Sequence, residues 1–255
     1  MKSFEDFLTL HQQPEPLLIG NFWDVKSAQV LAKAGYRALA TSSAAVAHSF
    51  GYEDGEQLPF ELLIQLAKRV HQVTPLPLSV DMEGGFSRSV EGICQNIDRL
   101  MDVGVVGINI EDSLPGTARA LHAPDSFRKT LEGMVNHLQK KKTPLFINVR
   151  TDGFLLGLPQ ALPETIQRIQ AYQTTGVHGI FVPCIVHADD IRAVVASTGL
   201  PVNVMGMPQL PAFGELQKLG VKRISCGNSV HQYVMQAFET KMLAIRQEQS
   251  FKSLF

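Results

Sequence analysis

The sequence predicts a single (β/α)8 barrel domain spanning residues 1–255, with a short helix ahead of the first strand. Three observations carry this expectation. The length, 255 residues, suits one undivided α/β barrel of ~250 residues. From Leu17 onward an apolar strand ending in polar residues is followed by a helix, and the unit recurs eight times. The passage from helix into strand also echoes itself, as AGYRALA, VGVVGINI, TGVHGIFV and LGVKRISC. In each, glycine supplies the left-handed residue that ends a helix, and an apolar run follows at once. The fallback, an open doubly wound sheet, would usually carry a glycine-rich phosphate turn after strand one, and NFWDVKS is not one.

Ser3–Gln12 forms the leading amphipathic helix, with Phe4, Phe7 and Leu8 on one face to cover an end of the domain. Strand one is LLIGNF (17–22); Asp24 caps a helix to Ala34, stopped by Gly35. Strand two, Ala38–Thr41, runs into TSSAA and a long polar loop, and Pro59 opens the helix FELLIQLAKRVHQV. Strand three is LPLSVDMEGG (76–85), and Ser87 caps its helix to Val103 and Gly104. Strand four is VGINIED; a loop from Ser113 to Ala123 leads to a helix at Pro124. LFINVRTD (145–152), GIFVP, PVNVMG and RISCG (223–227) complete the barrel. Their helices start near Pro163, Ala188, Pro211 and Ser229, the last running to Arg246.

Composition narrows the function classes. Hydrophobic residues make up 45% and charged residues 18%, an ordinary globular balance. The net charge is −1, and the one basic cluster, Lys140 to Lys142, sits at a helix end where cations complement the dipole, so nucleic acid is not expected as a partner. Cys94, Cys184 and Cys226 are far apart and odd in number, which argues against a disulfide framework or a zinc site. MKSFEDFLTL has no signal-peptide core, and no apolar run approaches the ~18 residues of a membrane span, so the expectation is a cytoplasmic protein without membrane contact.

In such a barrel the chemistry lies where strands end. Residues two apart on a strand share a face, which pairs Asp81 with Glu83, Asn109 with Glu111, and Asn148 with Arg150 and Asp152. Carboxylates brought together on neighbouring strands need a cation among them. Mg²⁺ fits, with Mn²⁺ as the alternative, because it takes oxygen ligands and keeps several waters. Asp81 is the expected direct ligand, with Glu83 and Glu111 holding metal-bound water. Arg150 cannot bind a metal; its planar fork suits a substrate carboxylate, or else simply pairs with Asp152. A metal beside a carboxylate clamp describes a site for a 2-oxo acid, whose enolate the metal stabilises. Ser42 and Ser43 form either an anion-gripping turn or a plain tight turn. Asp54 in GYEDGE either reaches the site or serves a turn. His48 and His122 lie on loops at the same end, as surface histidines or acid-base groups.

Taken in order, GNFWDVKSAQVLAKAGYRALATSSAAVAHSFGYEDGE, SVDMEGG, GINIED, INVRTD and NVMGMPQLPAFGELQKLGVKRISCG resemble the isocitrate lyase / phosphoenolpyruvate mutase superfamily, closest to its small phosphonomutase-like members. The resemblance runs from about Leu17 to Phe238. It implies a (β/α)8 barrel that uses Mg²⁺ to hold 2-oxo acids or enolates and to make or break C–C or C–P bonds. By position, Asp81 is similar to the metal-binding aspartate, Glu83 and Glu111 to the acids behind the metal's waters, and Arg150 to the carboxylate-binding arginine. Ser42, Ser43 and Ala44 match the turn that contacts the substrate carboxylate and keto oxygen, and Asp54 matches a second acid near the metal. The resemblance also implies a homo-oligomer, a tetramer or dimer, often exchanging a C-terminal helix; the apolar ending FKSLF suits such docking or is a frayed tail.

The departures fall elsewhere. The lyases' Lys-Lys-Cys-Gly-His run is absent from SLPGTARALHAPD. Ala40 and Pro183 stand where the mutases carry an aromatic residue and a histidine, the mutases' lid asparagine is missing, and Gly85-Phe86-Ser87 replaces a common Gly-Tyr-Gly. The metal and carboxylate half is kept and the half that selects the reaction is changed. The expectation is a Mg²⁺-dependent lyase or decarboxylase acting on a small 2-oxo or 2-hydroxy acid through a metal-bound enolate, with metal-bound water or His122 as proton donor. Phosphonopyruvate mutase or hydrolase chemistry, and non-catalytic binding of metal and 2-oxo acid, are the alternatives.

Overall fold

Nine strand segments form one parallel sheet that closes into a barrel, with helices between successive strands. The computed structural model describes residues 3–114 and 119–255. The nine segments amount to eight staves, because the first is interrupted at Ile19. Its lower half, Leu17–Leu18, pairs with the last strand, and its upper half, Gly20–Phe22, pairs with the second. Ile19 N–H donates to the Ile224 carbonyl and Gly20 N–H to the Ala38 carbonyl, so this stave (β1) closes the ring on both sides. The others are β2 (Leu39–Thr41), β3 (Leu78–Asp81), β4 (Gly107–Glu111), β5 (Phe146–Arg150), β6 (Gly179–Val182), β7 (Val202–Met205) and β8 (Arg223–Ser225).

The helices form where local chemistry directs them. Helix α1 is Phe4–Leu10 and α2 is Val25–Lys33; Asp24 Oδ1 accepts the Ser27 N–H at 2.6 Å to cap α2, and Gly35 follows at φ +87°. Helix α3 (Ser43–Ser49) occupies what the sequence presents as a small-residue turn. Helix α4 (Phe60–Val73) starts after Pro59 as expected, whereas α5 (Val90–Asp102) is capped by Ser89 rather than Ser87. The Ser87 hydroxyl instead accepts the Ser89 N–H at 3.2 Å, because Phe86 turns into the left-handed region (φ +53°) and delays the helix. Helices α6 (Pro124–Lys141), α7 (Ala161–Tyr172), α8 (Ala188–Ala196), α9 (Phe213–Lys218) and α10 (Ser229–Glu248) complete the outer ring. No helix among the described residues is long and apolar enough to cross a membrane.

Strand alternation sorts the core. Val80, Ile108, Ile110, Ile147, Val149, Ile180, Val182 and Val204 pack outward against buried helix residues such as Ala67, Ile97, Leu131 and Ile169. Asn109, Asn148 and Asn203 take the opposite face and bond to one another across the barrel: Asn148 Nδ2 donates to Asn109 Oδ1 at 2.9 Å and to Asn203 Oδ1 at 3.3 Å. Helix α1 stoppers the floor, where Phe7 meets Phe146 edge-on at 5.3 Å among Leu17, Ile19, Ala38 and Ala40. Gly107 makes this plug possible, since a Cβ there would lie 2.6 Å from Phe7 Cε1. The far end of the chain is packed differently. Of α10 only His231 is buried, and Tyr233 (73% exposed), Phe238 (57%) and Leu243 leave an apolar face open.

Candidate active site

The strand tips open into a cleft of about 410 Å³ lined by Ser42, Ser43, Ala44, Asp54, Asp81 and Arg150, together with Asn21, Asn109, Arg119, Phe181 and Ser225. Six sequence-predicted residues therefore share one cavity. Glu83 and Glu111 are buried behind it.

Asp81 ends β3. Its N–H donates to Thr41 Oγ1 at 2.8 Å, and the Ser43 hydroxyl hydrogen-bonds its carboxylate. Burial raises its pKa, Arg150 pulls the other way, and Asp54 adds to the rise. The alternation argument stops at this residue. Glu83 lies beyond the strand in the left-handed region (φ +50°), and its N–H points back at Asp81 Oδ1 over 3.4 Å. The two acids are neighbours because the chain turns, and not because a strand continues.

Glu83 is committed to a neighbouring loop. Its Oε2 accepts the Glu56 N–H at 3.0 Å, Glu56 Oε1 accepts the Phe86 N–H at 2.8 Å, and Glu56 pairs with Arg88 at 2.7 Å. Glu56, Glu83 and Phe86 all have φ between 50° and 61°, a conformation that costs a non-glycine residue free energy. These bonds tie the loop that carries Asp54 to the end of β3. Burial, with Asp54, Asp81 and Glu111 close by, pushes the Glu83 carboxyl up to about 9.

Glu111 ends β4 and Arg150 ends β5, in register with each other. Arg150 Nη1 lies 3.0 Å from Glu111 Oε2, while Nε and Nη2 grip Asp152 at 2.6 and 3.1 Å. The pairing of Arg150 with Asp152 therefore exists, and N–H groups on Nη1 and Nη2 remain for a ligand. Burial raises Glu111 to about 7, less than it would without Arg150. Asp152 is also buried, yet Arg150 and the Ser113 hydroxyl at 2.6 Å hold it below the usual range.

Two features were not visible in the sequence. The segment after β4 folds back, pairing Ser113–Leu114 antiparallel with Ala120–Leu121; residues 115–118 of SLPGTARALHAPD lie outside the described residues. This hairpin delivers Arg119 into the cleft, 3.1 Å from Glu111 Oε1 and 3.0 Å from Asp152 Oδ2. It also draws His122 away. The His122 N–H donates to the Asp112 carbonyl, its ring stacks on Phe127 at 5.9 Å, and it is not among the cleft-lining residues. His48 lies against His231 of α10, in a separate depression. Beneath the site, Asp112 accepts from Arg168 Nη1 at 3.1 Å, Tyr172 Oη at 3.0 Å and the Asp152 N–H at 3.1 Å.

Among the described residues no three His, Cys, Asp or Glu side chains are arranged to cage a metal. The donor set fits the looser shell of Mg²⁺, with one direct carboxylate and others acting through water. Asp54 Oδ1 is buried without a hydrogen-bond partner among the described residues, and Asp81 and Glu83 carry raised pKa values that a cation would relieve.

Known proteins share this fold. The family model for phosphoenolpyruvate phosphomutase matches residues 7–246. A provisionally named phosphonomutase from Burkholderia cenocepacia J2315 superposes with a TM-score of 0.88 at 35% identity, covering 94% of this chain and 98% of that one. The 2-methylisocitrate lyase of Escherichia coli K12 is 27% identical over 99% of this chain and 86% of its own length. An oxaloacetate decarboxylase of Bradyrhizobium sp. ORS 278 is 26% identical over 92% of this chain and 82% of its own length. Lyases and phosphomutases thus share this barrel, and the chain belongs to the phosphoenolpyruvate phosphomutase family, as an enzyme of the isocitrate lyase / phosphoenolpyruvate mutase superfamily.

Proposed function

We propose that the protein is a Mg²⁺-dependent lyase or decarboxylase acting on a small 2-oxo or 2-hydroxy acid through an enolate. The observation that carries this reading is the cleft itself, where Asp81 and the unpartnered Oδ1 of Asp54 share a cavity with Arg150. Asp81 would hold the cation directly, and Asp54, Glu83 and Glu111 would orient its waters. Bound there, Mg²⁺ supplies Lewis-acid stabilisation of negative charge developing on a substrate oxygen. Arg150 offers its spare N–H groups to the substrate carboxylate and is held for that task by Asp152 and Glu111. Ser43 and Ala44, which open α3, line the same space.

Cleavage of a C–C bond is favoured over C–P chemistry because the relatives named for an established reaction, 2-methylisocitrate lyase and oxaloacetate decarboxylase, act on carbon acids. The test is a panel of 2-oxo and 2-hydroxy acids with Mg²⁺, with and without EDTA, read by coupled pyruvate detection, alongside phosphorus NMR on phosphonopyruvate. Pyruvate from a carbon acid, abolished by EDTA, is the expected result. Turnover that survives EDTA, or phosphonopyruvate as the one substrate, would sink the reading. Mg²⁺-dependent oxalate binding with no product from any substrate would mark a binding protein instead.

The open face of α10 supports a homo-oligomer, since contiguous exposed apolar surface of this kind marks an interaction site. Light scattering should give a dimer or tetramer, and Phe238→Glu with Tyr233→Glu should shift it to smaller species. A monomeric wild type would refute this assignment.

A further inference from the structure

Asn109 lines the cleft on β4, level with Asp81 on β3 and Asn148 on β5. What its amide offers a ligand depends on which end faces the cleft, and the barrel interior decides this. Three asparagines stand in a row, with Asn148 Nδ2 2.9 Å from Asn109 Oδ1 and 3.3 Å from Asn203 Oδ1. Amides alone could be oriented in either direction, because each holds a donor and an acceptor.

The two ends of the row remove that ambiguity. At one end the Asn203 amide meets the Val204 carbonyl at 2.6 Å. A carbonyl can only accept, so Nδ2 of Asn203 faces it and Oδ1 faces Asn148. Asn148 must then donate, and it donates to both neighbours. At the other end Arg223 Nη2 lies 3.5 Å from the same Oδ1 of Asn109, and a guanidinium can only donate. Both constraints turn the Asn109 oxygen inward. Its Nδ2 makes no hydrogen bond among the described residues and is left to the cleft.

Arg223 is otherwise a disfavoured occupant of the barrel interior. It is 1% exposed, and its Nε and Nη1 are buried without a partner among the described residues. Burial lowers its pKa to about 10, which still leaves it charged at neutral pH. The row itself is also provided for. A Cβ at Gly179 would lie 2.7 Å from Asn148 Oδ1, so a larger residue there would push the middle asparagine out of line. Asn21, by contrast, lines the cleft with its amide engaged, by the Thr41 carbonyl and by the N–H groups of Cys226 and Gly227.

We propose that Asn109 is a substrate-binding residue whose Nδ2 donates to a negatively charged oxygen of the bound acid, and that Arg223 is the positioning residue that keeps this end of the amide in the cleft. The proposal rests on the 2-oxo acid reading of the same site. Mg²⁺ takes oxygen ligands, so the exposed nitrogen serves the anion and not the cation. It adds a neutral donor where Arg119 and Arg150 already supply positive charge.

The experiment is calorimetry with oxalate in Mg²⁺. Two variants remove the donor by different routes. Asn109→Asp keeps an oxygen for Asn148 and Arg223 and replaces the donor with an acceptor. Asn109→Leu keeps the shape and adds no charge. Each should weaken oxalate about tenfold or more, the scale of a hydrogen bond to a charged group. Mg²⁺ alone should bind Asn109→Leu as it binds wild type. Arg223→Met should weaken oxalate about threefold or more in the wild-type background and no further in Asn109→Leu, because an effect carried through Asn109 vanishes with it. Oxalate binding within about threefold of wild type in either Asn109 variant, or a matching loss of Mg²⁺ in Asn109→Leu, would overturn the role of Asn109. Equal loss from Arg223→Met in both backgrounds, or no loss in the first, would overturn the role of Arg223. Each of these results leaves the 2-oxo acid reading intact. Wild type that does not bind oxalate in Mg²⁺ would overturn that reading, and the proposal with it.

Discussion

Replacing Asp81 with alanine is expected to abolish measurable turnover while the protein stays folded. The loss should be at least about a thousandfold, because Lewis-acid stabilisation is worth several kcal/mol and each ~1.4 kcal/mol is a factor of ten in rate. Asp81 is the cleft-lining carboxylate at the end of β3, and its neighbours are otherwise engaged. Glu83 is bound to Glu56, and Glu111 is shared between Arg119 and Arg150. Neither is free to take over direct coordination. Stability should not fall with activity. Asp81 is buried beside Asp54 with a raised pKa, so removing it relieves a repulsion as well as a hydrogen bond from Ser43. The check is kcat together with Mg²⁺ affinity by calorimetry and the unfolding midpoint. Wild-type turnover, or an unchanged Mg²⁺ affinity, would remove Asp81 from the role assigned to it.

The second large effect is on stability. Asp112→Ala should lower the unfolding free energy by about 3–5 kcal/mol, the usual cost of removing one partner from a buried, hydrogen-bonded ion pair. Asp112 is fully buried, and Arg168 is 4% exposed. Removing the carboxylate leaves Arg168 with Glu164 and the His122 carbonyl but without its buried ion-pair partner, and takes the acceptor from the Tyr172 hydroxyl and the Asp152 N–H. For a chain of this size that corresponds to a drop in Tm of roughly 6–20 °C. Activity should fall too, because Asp152 holds both Arg150 and Arg119 and leans on Asp112 through its own N–H. Adding Arg168→Met should recover part of the lost stability by removing a buried guanidinium that has lost one of its two acids. A Tm within about 2 °C of wild type for Asp112→Ala would show that the network carries little of the fold.

The barrel was legible because its signals are local and repeated. Each strand and its following glycine or cap lie within a few residues, and Asp24, Gly35, Pro59 and Pro124 act where their chemistry places them. Asp81, Glu111 and Arg150 were legible for a related reason, since the tip of a barrel strand is a known address. The misses depend on distant partners. The break at Ile19 arises because one strand must satisfy β8 below and β2 above, a demand set by ring closure. Ser87 and Ser89 are equally good caps in sequence, and the left-handed turn at Phe86 decides between them. Arg119 is one arginine in a polar loop until antiparallel pairing at Ser113–Leu121 carries it to Asp152, 33 residues on. Asp112, Arg168 and Tyr172 meet across separations of 56 and 60 residues, with no shared pattern to announce them.

The hairpin after β4 has one more implication. Its two ends are pinned side by side, by the pairing of Ser113 with Leu121 and by the His122 backbone, which is bonded to Asp112 and Arg168. The acids Asp54, Asp81 and Glu83, by contrast, belong to a strand tip and to loops locked through Glu56. The segment between the pins is therefore an exchangeable cassette on a constant frame. A relative's segment grafted between Ser113 and Leu121 changes what the cleft accepts while the barrel, its caps and its acidic wall stay as they are. One scaffold can then diversify by swapping some seven residues at a single address.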